Sequence, residues 1–176
     1  MANSFSQKAI ASVRAIRRAE LLRLAAGDIL GVTCLDTLGR GLSDLAGATI
    51  DATLHIVARD MDHPPRIGVI AMGRWGGGEM SLGSDCDAMF VCDDSDDPEH
   101  LKRAGQMIQQ VRQMLAARGP DPALPIDDGR STVSAEIELH VPNTSLPAPP
   151  LVHSVMPLFR WEEQTEPDQP MARRRT

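Results

Sequence analysis

Apolar residues recur at helical intervals over residues 4–30, at Ile10, Val13, Ile16, Leu21 and Leu24, and Gly27 or Gly31 stands where the run would end. A second helical period covers residues 36–59: Leu38, Leu42, Leu45, Thr49, Ala52 and Ile56 step by three and four, with Asp36 in the place of an N-cap. Gly39, Gly41 and Gly47 oppose that helix, each by about 1 kcal/mol relative to alanine, unless they serve close packing. Asp62-His63-Pro64-Pro65 then breaks the chain. Residues 67–72 and 88–92 are short apolar runs between breakers and predict buried strands. Asp97-Pro98-Glu99 gives a cap, a proline at the first helical position and an acid in the first turn. Leu101, Ala104, Ile108, Val111 and Leu115 continue that helix over 98–118, and Gly119-Pro120 stops it. Residues 123–127 and 133–141 are further candidate strands, the second alternating Val133, Ala135, Ile137, Leu139 and Val141 with polar positions.

Strands alternating with helical periods predict an α+β fold: N-terminal helices beside a small mixed sheet, with the 98–118 helix covering one face. The chain divides into a helical lead-in at 1–62, a core at 63–141 and a tail at 142–176. The tail holds Pro142, Pro147, Pro149, Pro150, Pro157, Pro167 and Pro170, ends in Arg173-Arg174-Arg175, and is expected to be irregular or disordered.

Composition adds exclusions. A chain of 176 residues is about one domain. With no tyrosine and few aromatics, Ile, Leu, Val, Met and Ala must fill the core. A net charge of −6 argues against nucleic-acid binding driven by electrostatics. Cys34, Cys86 and Cys92 have neither metal-ligand spacing nor a disulfide framework. The absence of a signal peptide and of a membrane-length apolar run leads to the expectation of a cytoplasmic protein without membrane contact. Arg14, Arg17, Arg18 and Arg23 give the first helix a basic side, read as a solvated face with a phosphate or partner contact as the alternative. His63, His100, His140 and His153 form no ligand pattern, and the acids at 93, 94, 96 and 97 read as a solvated loop.

The chemistry concentrates in residues 67–91. A buried-type strand enters a glycine-rich loop, the loop ends in Gly83-Ser84, and Asp85 and Asp87 open the next apolar strand. Residues two apart in a strand share a face, so these aspartates present paired carboxylates. Like charges repel, a bound cation relieves that cost, and carboxylate oxygens suit a hard ion such as magnesium. Gly83 allows close backbone approach to a phosphate, Ser84 adds a hydroxyl and an amide, and Arg74 is a candidate phosphate contact. Gly-Ser-Asp alone is commonly a turn, and a run of glycines alone is commonly a loop. The whole arrangement is what magnesium-dependent phosphoryl or nucleotidyl transfer requires.

The segment Ile70-Ala71-Met72-Gly73-Arg74-Trp75-Gly76-Gly77-Gly78-Glu79-Met80, followed by Gly83-Ser84-Asp85-Cys86-Asp87-Ala88-Met89-Phe90-Val91, resembles the glutamine synthetase adenylyltransferase/adenylyl-removing family. That family carries Gly-Met-Gly-Lys/Arg-x-Gly-Gly-x-Glu-Leu leading to Ser-Asp-x-Asp. The lead-in Arg17-Arg18-Ala19-Glu20-Leu21-Leu22-Arg23-Leu24-Ala25 and Asp28-Ile29-Leu30-Gly31 also resembles its helical approach to a catalytic domain. The resemblance covers about residues 8–128 and is similar to the C-terminal, adenylylating half of actinobacterial members. It implies a polymerase-beta-like nucleotidyltransferase fold and transfer of AMP from ATP to a tyrosine of glutamine synthetase, with magnesium. It also implies a nitrogen-signalling regulator that would act through parts absent here.

Residue by residue, the resemblance implies Asp85 and Asp87 as the metal-binding pair, with Gly73, Arg74, Gly83 and Ser84 at the nucleotide phosphates. It implies a third metal-binding, catalytic acid at Asp127, in Leu124-Pro125-Ile126-Asp127-Asp128-Gly129-Arg130. Strand alternation offers Glu136 or Glu138 instead. The family's Leu-Arg-Pro-Glu-Gly does not follow, so the chain is expected to be truncated or frame-shifted after about residue 128, as a fragment or a degenerate product. The competing expectations are a remnant that binds nucleotide or glutamine synthetase without turnover, and a nucleotidyltransferase acting on a small molecule. The lead-in helix argues against the last.

Overall fold

The computed structural model describes residues 4–92 and 97–127, and the backbone of two further strands at 132–134 and 152–157. The helical periods form α1 (Ser4–Ile29) and α2 (Leu35–Ala58). On α2 a row at intervals of four, Leu38, Leu42, Ala46, Ile50 and Leu54, is buried and forms the spine of the core. Three polar residues sit among them without stranding a hydroxyl. Ser43, Thr49 and Thr53 each donate to the carbonyl four residues back, at 2.9, 2.6 and 2.7 Å. Two of the glycines that weaken this helix in isolation are contact points. A Cβ on Gly41 would stand 2.9 Å from Leu24 of α1, and one on Gly39 would stand 2.8 Å from the Gly78 carbonyl. Asp36 is not the N-cap. Cys34 holds that position, and Asp36 lies in the first turn, 3.1 Å from Arg40.

The sheet is mixed. β1 (Ile67–Ala71) pairs antiparallel with β2 (Cys86–Cys92), with Ala71 opposite Ala88 and Ile67 opposite Cys92. The β2 strand begins two residues before its apolar run, because its ladder extends back to the aspartates. The loop between them is not wholly irregular: α3 (Gly73–Gly76) makes a single turn. The helix α4 (Pro98–Ala116) starts as predicted, with the Asp97 carboxylate accepting from the Glu99 amide at 3.0 Å, and buries Ala104, Met107, Ile108, Val111 and Leu115. β3 (Ile126–Asp127) and β4 (Thr132–Ser134) both pair parallel with β2. β3 keeps only two residues of the expected 123–127, because the segment before it bonds to helices instead: the Leu124 amide donates to the Leu115 carbonyl at 2.9 Å.

The tail expectation needs one correction. Val152–Pro157 is a strand, β5, parallel to β1 at the sheet edge; pairing with β1 supplies the order that its own sequence pattern does not announce. The rest of 142–176, and Glu136 and Glu138, lie outside the described residues.

One apolar cluster joins α2, α4 and the inward positions of β1 and β2, including Ile67, Val69, Ala71, Ala88 and Phe90. The molecule is thus an α+β domain. Among the described residues no helix is long and apolar enough to cross a membrane.

Candidate active site at the heads of β2 and β3

The start of β2 alternates by burial. Asp85 is exposed, Cys86 buried, Asp87 exposed and Ala88 buried. Asp85 and Asp87 therefore belong to the side of the sheet away from the core. Burial pushes the Cys86 thiol between them up to about 12, against the opposing pull of the Arg17 charge, so it stays protonated and takes no part in the polar chemistry beside it.

Asp127 arrives beside this pair through β3. In the parallel ladder Cys86 pairs with Ile126, and Asp87 with Asp127. Partners in a parallel ladder share a face, and neighbouring strands lie about 4.8 Å apart. Asp87 and Asp127 are thus abreast, both exposed, while Ile126 is buried beneath them. Among the described residues no three His, Cys, Asp or Glu side chains converge on a common point. The arrangement is two oxygen-donor side chains abreast with Asp85 next to them along the chain, not a closed cage.

The glycine-rich loop holds Asp87 from both ends. The Met72 amide donates to the Asp87 carbonyl at 2.9 Å. Gly73 follows at φ 53°, a left-handed conformation suited to glycine, and its α-carbon lies so near the Asp87 carboxylate that a Cβ would overlap it. Trp75, 3% exposed, anchors the loop to α2 by donating its indole N–H to the Ser43 carbonyl at 3.1 Å. Arg74, between these two fixed residues, is exposed; its carbonyl accepts from the Glu79 amide at 2.8 Å, and its side chain makes no hydrogen bond or ion pair with the described residues.

Gly83 and Ser84 differ in their surroundings. Gly83 has open space around it. The Ser84 amide donates to the Ser81 carbonyl at 3.0 Å, and its hydroxyl accepts from the Ser81 amide at 3.0 Å and bonds the Ser81 hydroxyl at 2.9 Å. The Ser84 amide and hydroxyl are thus engaged within the turn. A small pocket does border Ser84, but on the helical side, among Arg17, Leu42, Leu45, Met80 and Leu124, and it has room for about one water molecule. The aspartates do not line it.

The basic side of α1 is a solvated face at Arg18 and Arg23, but Arg14 and Arg17 turn to the main chain of a distant loop. Arg14 donates to the carbonyls of Met114, Ala117 and Asp121 at 3.3, 2.6 and 2.9 Å, and Arg17 to those of Pro122 and Ala123 at 2.9 and 3.4 Å. Arg18 pairs with the Asp121 carboxylate at 2.6 Å. Arg18 is itself exposed, as is Arg23, which pairs with Glu20. Arginine spacing marked these residues as a group. That the partners of Arg14 and Arg17 are backbone carbonyls about 100 residues away left no trace in the sequence.

A small mixed sheet with helices on its core side, a glycine-rich turn after β1 and carboxylates at the heads of the next two strands define a nucleotidyltransferase-type α+β domain. The chain belongs to the glutamate-ammonia ligase adenylyltransferase family, whose sequence profile matches residues 1–127. It is 42% identical over 130 residues to the bifunctional glutamine synthetase adenylyltransferase/adenylyl-removing enzyme of Cutibacterium acnes. It is 39% identical over 129 residues to that of Mycolicibacterium smegmatis, and 37% identical over 131 residues to that of Nocardia farcinica. The alignments cover 71%, 69% and 69% of this chain but 13% of each relative, so the chain corresponds to a small part of their length.

Proposed function

We propose that this domain transfers AMP from ATP to a tyrosine of glutamine synthetase, with magnesium, as the adenylylating unit of a larger cytoplasmic enzyme answering to a nitrogen-signalling regulator. The observation that carries this reading is the register of Asp87 with Asp127 beside the glycine-rich turn. The reaction forms a bond between the tyrosine oxygen and the α-phosphorus, breaks the α–β phosphoanhydride, and releases pyrophosphate. A site for it must hold the phosphates, offset their charge and accept the phenolic proton.

The chain's own residues suit those tasks. Asp85 and Asp87 offer hard oxygen donors on an exposed face, as magnesium prefers. Asp127, abreast of Asp87, would complete the ligand set or take the phenolic proton. The Arg74 side chain is exposed with no partner among the described residues and would meet a phosphate. Gly73 keeps the backbone close to Asp87, and Gly83 leaves room for a phosphate to approach; Ser84 would join only if its turn with Ser81 opens. A divalent cation bound at these acids would neutralise charge developing on the phosphates.

A second reading, binding of nucleotide or glutamine synthetase without turnover, is favoured by one observation: no three ligating side chains converge among the described residues. Incubation with ATP labelled at the α-phosphate, magnesium and purified glutamine synthetase separates the two. Label on glutamine synthetase, lost with Asp87→Asn, is expected for transfer. A folded chain that leaves glutamine synthetase unlabelled would leave binding alone.

A further inference from the structure

We propose that Arg17, with Arg14 beside it, is a positioning residue that sets Asp127 abreast of Asp87 by fixing the loop that feeds β3. The inference rests on the reading of Asp127 as a site residue. β3 has two residues, and a strand that short has little ladder of its own to define register. Register matters here, because a one-residue slip would turn Asp127 toward the core and Ile126 outward. The segment from 117 to 125 has no helix or strand. Its carbonyls at Ala117, Asp121, Pro122 and Ala123 are instead taken by the two guanidinium groups of α1. Next along the chain, the Pro125 carbonyl accepts from the Cys86 amide at 3.0 Å, joining the clamped loop to the residue between Asp85 and Asp87.

Arg17 is 9% exposed as a whole residue, and its bonds to Pro122 and Ala123 are partly buried. Burial pulls its pKa below the ordinary arginine value, with the nearby Arg14 charge acting in the same direction. That is a cost a merely decorative surface arginine would not carry. A lysine would bring one charge and no planar fork, and would reach fewer of these carbonyls.

The test is the affinity of the full chain for Mn2+ alone, read by electron paramagnetic resonance, in wild type, Arg17→Met, Asp127→Asn and the double variant. Each single change is expected to weaken binding by about ten-fold, the size seen when support for a metal ligand is lost. The double variant is expected to bind no more weakly than Asp127→Asn, because Arg17 acts through that acid. Arg17→Lys should recover part of the loss. Wild-type affinity in Arg17→Met, alongside weakened Asp127→Asn, would overturn the positioning role and leave the site reading standing. Additive losses would also overturn it, by showing a general structural effect. Wild-type affinity in Asp127→Asn would overturn both readings. Should Arg17→Met fail to fold by circular dichroism, Arg14→Gln takes its place in the cycle with the same outcomes.

Discussion

Trp75→Ala is expected to cost about 3–5 kcal/mol of stability, the range for truncating a large buried aromatic. The indole is among the few large side chains that the glycine-rich loop contributes to the core. It sits under α3, against α2, with its N–H on the Ser43 carbonyl. The neighbouring Gly39 lets the loop backbone at Gly78 lie against α2, so truncation opens a cavity at a seam that backbone atoms already close on one side. Trp75→Phe should recover much of the loss, keeping the apolar volume and losing the hydrogen bond. Urea denaturation followed by circular dichroism checks both. A midpoint for Trp75→Ala within error of wild type would mean that the loop is not anchored as described.

Gly73→Ala is the second large effect, and it falls on the site more than on the fold. Alanine at φ 53° meets a conformational cost of about 1–2 kcal/mol. Its Cβ would also overlap the Asp87 carboxylate, which must then rotate or shift from its place. The expected result is a folded protein with lowered stability whose labelling of glutamine synthetase falls by about a hundred-fold or more, as for displacement of a catalytic group by an ångström. Gly83→Ala is the contrasting variant: nothing lies within 4 Å of a Cβ there, so the folded state should be little changed. Undiminished labelling in Gly73→Ala would show that the position of the Asp87 carboxylate does not matter to transfer.

What the sequence made legible was the part governed by local rules. Capping by Asp97, the helical period of α2 and the alternation around Asp85 and Asp87 follow from residue spacing and one-chain geometry. The spine of α2, however, continues from Leu42 through Ala46, Ile50 and Leu54, while the expected Leu45, Ala52 and Ile56 are only half-buried. Two misreadings are local, at the start of α2 and in the turn of residues 81–84, and the others fell where a distant segment decides. Asp36 looks like a cap in isolation, yet the helix begins one residue earlier, at Leu35. Pro-rich spacing hid Val152–Pro157, whose order comes from the edge of β1. Arg14 and Arg17 of α1 read as solvated because their acceptors are main-chain carbonyls, which any sequence supplies and none advertises. Ser84 was legible as a turn residue, but not which of its donors the turn would consume.

The same division holds at the site. Resemblance suggested Asp127 as a partner of the aspartate pair, and strand pattern alone favoured Glu136 or Glu138. The two-residue β3 gives no periodic signal of its own, and its register with β2 depends on the loop before it.

The central claim is that the acids at the heads of β2 and β3 form one site for a divalent cation and nucleotide. Its most direct measurement is binding of Mn2+–ATP, followed by water-proton relaxation enhancement, in wild type and Asp87→Asn matched for fold by circular dichroism. The account predicts clear enhancement with wild type and its near loss in Asp87→Asn. Equal enhancement in the two proteins, or none in a folded wild type, would contradict it.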